Sequence, residues 1–204
     1  MTETLVQLTA ETASEFDFVV CLDASGSMSM PSTRFPGKSR WQEAQETIFG
    51  LAAALEQYDT DGIDVVVFSG GVEVHQGVTS AKVAEIFAAR SPRGGTPLAA
   101  ALGEVVARQK ATGKNTVAIV FTDGEPDDRS SVEKTIVDAA NAIEKDEALT
   151  FLFVQIGNDT GAAAFLDYLD DGLTAAQFDI VDAIPAAVAD TMEPLALITK
   201  AIND

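Results

Sequence analysis

The sequence predicts an α/β protein: a doubly wound, mainly parallel central sheet with one antiparallel edge strand and helices on both faces. Three observations predict it. Short apolar runs alternate along the chain with segments of helical periodicity. The turn Ser69-Gly70-Gly71 joins two strand-like runs closely enough for a hairpin. Two other strand-like runs each end in a loop that begins with an aspartate, Asp23 and Asp123.

Phe16 to Leu22 is the first strand, followed by a polar loop, Asp23 to Arg40, that contains Pro31, Pro36 and Gly37. Trp41 to Tyr58 reads as a helix, with Trp41, Ala44, Ile48, Leu51, Ala52 and Leu55 on one face. Ile63 to Phe68 is the second strand. Beyond the Gly-Gly turn, Val72, Val74 and Gln76 alternate with Glu73, His75 and Gly77, as an antiparallel edge strand requires. Thr79 or Ser80 caps a short helix, Ala81 to Ala89. Pro97 opens the next, Pro97 to Lys110, at a position where its missing N–H costs little. Thr116 to Phe121 is a buried β-branched strand, and a helix, Ser130 to Lys145, follows it. Then come a strand, Leu149 to Ile156, a helix, Thr160 to Leu169, a last strand, Phe178 to Val181, and a closing helix, Pro185 to Ile202, with Pro194 as a breaking point.

The chain has 204 residues, the length of one domain, so the reading is a single domain over 1–204 with an N-terminal extension, 1–15, and a core over about 16–202. Hydrophobic residues make up 47% of it. Cys21, the one cysteine, lies in the run Phe18-Val19-Val20-Cys21-Leu22 and reads as a buried core thiol. Thirteen Lys and Arg against 32 Asp and Glu give a net charge of −19. Such a surface repels phosphate backbones and anionic lipid, which argues against nucleic-acid and membrane partners and favours cations. Met1 to Glu15 carries no basic residue and does not resemble a signal peptide. No apolar run approaches the roughly 20 residues that span a bilayer, so the expected location is cytoplasmic. The oligomeric state is not legible.

The chemistry sits in three loops. The first reads Asp23-Ala24-Ser25-Gly26-Ser27-Met28-Ser29, with three oxygen side chains on alternate residues and Gly26 permitting a sharp turn. The second, Arg93-Gly94-Gly95-Thr96-Pro97, places a threonine hydroxyl at a helix entrance. The third is Thr122-Asp123-Gly124-Glu125-Pro126. In doubly wound sheets ligands sit at the carboxyl ends of the strands, near the point where strand order reverses. These loops offer two carboxylates and three hydroxyls to a hard cation, with Mg²⁺ the expected ion and Mn²⁺ or Ca²⁺ as alternatives. Ser25, Ser27 and Thr96 are candidate direct ligands. Asp23 and Asp123 are candidates directly or through water, and orient the hydroxyls. A cation held mainly by neutral hydroxyls stays electrophilic on its open side, where a carboxylate from outside completes the coordination.

The pattern D-x-S-x-S, with Gly-Gly-Thr-Pro and Thr-Asp-Gly further along, resembles the metal-ion-dependent adhesion site of von Willebrand factor A domains. The element order resembles that family too, over about Phe16 to Ile202. The resemblance implies a Rossmann-like fold with a metal at the top of the sheet, and carries over as Asp23, Ser25, Ser27, Thr96 and Asp123. It implies an interaction module without enzymatic activity, whose protein partner supplies a Glu or Asp to the metal. The resemblance also suggests, without assigning it here, a role like that of stand-alone bacterial members, which often work beside ATPases or in stress and metal-resistance systems.

The residues admit other readings. One is a structural or regulatory domain with an idle metal site. Another is a Mg²⁺-dependent phosphotransferase using Asp23, but Ser25 stands where its second acid is expected, and no lysine is placed for the phosphate. A dinucleotide site lacks G-x-G-x-x-G after the first strand. His75, the sole histidine, reads as a surface residue, and nothing brings it near Ser25 or Cys21 to build a triad. Asp127 and Asp128 read as a solvated loop and helix N-cap region, Glu125 is left open, and Trp41 reads as a packing anchor. Arg34, Lys38 and Arg40 form a basic patch beside the proposed metal, with an ordinary solvated loop as the expectation.

Overall fold

The computed structural model describes residues 9–56 and 62–203. It contains one six-stranded sheet. Strands β1 (Phe16–Asp23), β2 (Ile63–Phe68), β3 (Val72–Val78), β4 (Asn115–Thr122), β5 (Leu149–Gln155) and β6 (Val181–Pro185) lie in the order β3-β2-β1-β4-β5-β6. Only the β2–β3 pair is antiparallel. Helices α1 (Ala10–Ala13), α2 (Arg40–Leu55), α3 (Ser80–Ala88), α4 (Leu98–Thr112), α5 (Arg129–Ala140), α6 (Thr160–Asp171), α7 (Ala186–Ala189) and α8 (Pro194–Ile202) connect and cover it.

β1 and β4 are the centre, and period-two alternation sorts their side chains between two cores. Phe18, Val20 and Leu22 join α2, α3 and α8 on one face. Val19 and Cys21 join α4, α5 and α6 on the other. Both faces are covered, so every residue of β1 is buried, the two aspartates included. Burial pushes the Cys21 thiol up to about 12, as expected of a core cysteine. Trp41 packs on Phe87 with ring centroids 4.5 Å apart, the anchoring role read from the sequence. Among the described residues no helix is long and apolar enough to cross a membrane.

The strands from β1 to β5 follow the predicted runs to within a residue, and Thr79 is the cap of α3. Two expectations are corrected. The last strand is Val181–Pro185, not Phe178 to Val181. The Asp179 carboxylate accepts from the Val181 amide, so the chain turns before it enters the sheet. Helix α5 stops at Ala140 rather than Lys145, because the Asn141 side chain binds Ala175 and Gln177 instead of extending the helix. The closing helix breaks in two before Pro194, the breaking point read from the sequence. Pro194 holds Glu193 extended and starts α8 at its first turn. The N-terminal extension contains α1, capped reciprocally by Thr9 and Thr12, with Ala13 fully buried. The predicted end of the second helix at Tyr58, and residues 1–8 of the extension, lie outside the described residues.

Candidate metal centre

Strand order reverses between β1 and β4: from β1 the chain winds outward to β2, and from β4 to β5. The crevice that this reversal opens lies at the carboxyl ends of these strands. Asp23 is the last residue of β1, and Asp123 follows the last residue of β4. Parallel pairing of β1 with β4, Leu22 opposite Phe121, brings the two loops side by side.

Four of the five predicted residues form one hydrogen-bonded chain. The Ser25 amide donates to Asp23 Oδ1 at 2.8 Å, Ser25 Oγ lies 2.9 Å from Ser27 Oγ, and Ser27 Oγ donates to Asp123 Oδ1 at 2.7 Å. Thr122 Oγ1 donates to the other Asp23 oxygen at 2.7 Å. Asp23 and Asp123 are both 0% exposed, and Ser25 is 2%. Burial pushes the Asp23 carboxyl up to about 6. Hydrogen bonds from Ser25 and Thr122 work against that rise, and the neighbouring Asp123 charge adds to it.

Thr96 is brought to the same place by its backbone. Gly26 donates to the Gly94 carbonyl at 3.0 Å and Arg93 to the Ala24 carbonyl at 2.8 Å, so this loop is stitched to the first. The Thr96 amide donates to Asp127 Oδ1 at 2.9 Å, and the Asp127 amide returns to the Thr96 carbonyl at 3.0 Å, which stitches it to the third. Two glycines allow this. Gly94 has φ +80, and a Cβ on Gly95 would stand 2.7 Å from the Asp127 carboxylate oxygens. The Thr96 side chain makes no hydrogen bond among the described residues, and the residue is 6% exposed.

Several functional positions were not legible in the sequence. Asp127 was expected to be merely solvated, yet it fixes the Thr96 amide. Thr122 orients Asp23; its signal is a hydroxyl closing an otherwise apolar strand. The largest revision concerns the basic patch, which is not an ordinary solvated loop. Arg34 pairs with Glu43 and Asp190, Lys38 pairs with Glu46, and Arg40 Nη1 donates to Asp123 Oδ2 at 2.7 Å. Asp128 caps α5 as expected, and Glu125 pairs with Arg129. His75 contacts Glu73 and Arg90 on the edge strand.

The donor set suits a hard cation. Among the described residues no three His, Cys, Asp or Glu side chains are grouped to hold a metal by themselves. The oxygens here are two carboxylates and a set of hydroxyls. Neighbouring ligands around octahedral Mg²⁺, at about 2.1 Å from the ion, lie about 3.0 Å from one another. The Ser25–Ser27 and Ser27–Asp123 separations, 2.9 and 2.7 Å, are close to that edge. The same hydroxyls can therefore bridge one another by hydrogen bonds or share an ion.

A doubly wound sheet with one antiparallel edge and a serine-, threonine- and aspartate-lined crevice at its switch point defines the class. The chain belongs to the von Willebrand factor type A domain family, whose model matches residues 18–125, a little over half its length. Domains of this family generally act as interaction modules that bind protein partners, commonly through a metal. No curated protein matches the chain. Among solved structures, it is similar to the manganese-loaded TRAP protein of Plasmodium vivax, with TM-score 0.64 and 18% identity over 94% of this chain and 74% of that one. It is also similar to the pilus adhesin SpaC of Lactobacillus rhamnosus GG, with TM-score 0.61 and 15% identity, covering 91% of this chain and 30% of that one. A third is proximal thread matrix protein 1 from the mussel byssus, with a zinc-occupied MIDAS motif: TM-score 0.54, 17% identity, 91% of this chain and 48% of that one. These likenesses are of fold, and the chain spans less than half the length of the last two.

Proposed function

We propose that this chain is a divalent-cation-dependent interaction module. Ser25, Ser27 and Thr96 are the direct ligands. Asp23 and Asp123 bind directly or through water, and a partner protein's Glu or Asp fills the remaining position. The observation that carries this reading is the unbroken hydrogen-bonded chain Asp23–Ser25–Ser27–Asp123, drawn from two strand-end loops, with donor–acceptor separations of 2.7 to 2.9 Å. Manganese and zinc in the similar structures support a divalent cation in general. The hydroxyl-rich, oxygen-only donor set favours Mg²⁺, with Mn²⁺ or Ca²⁺ as substitutes.

The chemistry follows from charge. When bound, the cation supplies an electrophilic face for a carboxylate. Burial keeps water from competing with these oxygens, and Thr122 and the Ser25 amide hold Asp23 so that neither of its oxygens rotates away. The test pairs calorimetry with capture. The wild type should take up Mg²⁺, Mn²⁺ or Ca²⁺, and Asp23→Ala should not. Partners captured from the native cell should be released by chelator. Cation uptake with capture unaffected by chelator would instead establish an idle, stabilising metal.

A further inference from the structure

Arg40 is the first residue of α2, where the positive end of the helix disfavours a cation. Ser39 already caps that helix, accepting from the Gln42 amide. The Arg40 side chain is 12% exposed, and its Nε is buried without a hydrogen-bond partner. The guanidinium lies against Gly157, where a Cβ would come within 2.9 Å of Nε. Among the described residues its ion pair is with Asp123. Arg34 and Lys38, from the same loop, turn to acids outside the site. A desolvated charge set against a helix dipole serves the carboxylate it touches rather than the helix that carries it.

We propose that Arg40 is the resident counter-ion of the metal centre and holds its intrinsic cation affinity low. This rests on the cation reading above. Two buried carboxylates would attract a dication strongly, but one of the four oxygens, Asp123 Oδ2, is already committed to the guanidinium. An incoming dication meets a fixed positive charge across the shared carboxylate. The carboxylate of a partner brings the compensating negative charge, so partner and cation strengthen each other's binding by linkage.

Mn²⁺ titration calorimetry on the metal-stripped protein, with melting temperatures in chelator, tests this. Arg40→Gln should bind Mn²⁺ about ten-fold or more tighter than the wild type, because a unit charge near the ion is removed. It should also melt lower in chelator, with Asp123 left unpaired, and gain more from saturating Mn²⁺. Arg40→Lys keeps the charge and should stay within about three-fold of the wild type. Equal or weaker Mn²⁺ binding by Arg40→Gln, or ten-fold tighter binding by Arg40→Lys, would overturn the counter-ion role. If the wild type binds Mn²⁺ and Asp23→Ala does not, the metal centre itself survives that outcome. No binding by either the wild type or Arg40→Gln would remove both readings together.

Discussion

The two ends of the sheet each bury a pair of aspartates, and they neutralise them differently. At the amino ends of the strands, Asp17 on β1 and Asp64 on β2 are 6% and 5% exposed. Lys114 reaches Asp17 at 2.9 Å, and Arg108 reaches Asp64 at 3.0 Å. Among the described residues that end sets two acids against two bases, although Asp17 Oδ2 accepts no hydrogen bond. At the carboxyl ends, among the described residues, Asp123 pairs with one base, Arg40, and Asp23 pairs with none. Among the described residues Asp23 is held by the Ser25 amide and by hydroxyls. A hydroxyl can donate to a carboxylate or ligate a cation, whereas ammonium and guanidinium groups cannot ligate. Acid pairs at both ends are thus a matter of stability at one and of unfilled charge at the other.

The comparison breaks most directly at Asp23. Asp23→Ala should lower Mn²⁺ affinity by about a hundred-fold or more, the loss expected when a carboxylate that orients or ligates a dication is removed. Isothermal titration reads this, and unchanged affinity would leave the two ends alike.

The second effect is on the metal-free protein in chelator. The folded pKa of Asp23 is raised from 3.8 to about 6. The folded state therefore binds this proton more tightly than the unfolded state. The resulting stability is full below about pH 4 and is lost as pH rises through about 6, amounting to at most about 3 kcal/mol. Denaturant melts across that window should slope downward for the wild type and lose this component in Asp23→Asn.

At the amino ends, Arg108→Ala should cost about 2 kcal/mol of unfolding free energy, moderated by the partial exposure of the arginine, and leave Mn²⁺ affinity unchanged. Chemical denaturation alongside titration separates the two readouts; altered affinity would couple the two ends.

The smallest effect is Gly95→Ala. Its Cβ would crowd Asp127 and free the Thr96 amide, with an expected loss of about 1 kcal/mol in stability and a few-fold in affinity. A variant with wild-type melting and affinity would show that Asp127 does not position Thr96.

The same contrast explains what was legible in the sequence. β1 and β4 are continuous apolar runs buried on both faces, so their ends, and Asp23 and Asp123 with them, fall where pattern alone puts them. Ser25 and Ser27 were legible because their spacing is local. The partners that tune these groups lie far away in sequence: Arg40 is 83 residues from Asp123, Thr122 is 99 from Asp23, and Asp127 is 31 from Thr96. Nothing local marks such pairs. Gly95 did stand beside Thr96, but its need for space was visible only once Asp127 was in place. β6 was misplaced because Asp179 shapes its entry through a side chain, and side-chain turns leave no hydrophobic period.

The most direct measurement is an anomalous-difference map from a crystal soaked in Mn²⁺. One strong peak should stand roughly 2.0–2.3 Å from Ser25 Oγ and Ser27 Oγ, beside Thr96 and the two aspartates. A map with no peak between those loops, while Ser27 still donates to Asp123, would contradict the proposed metal centre.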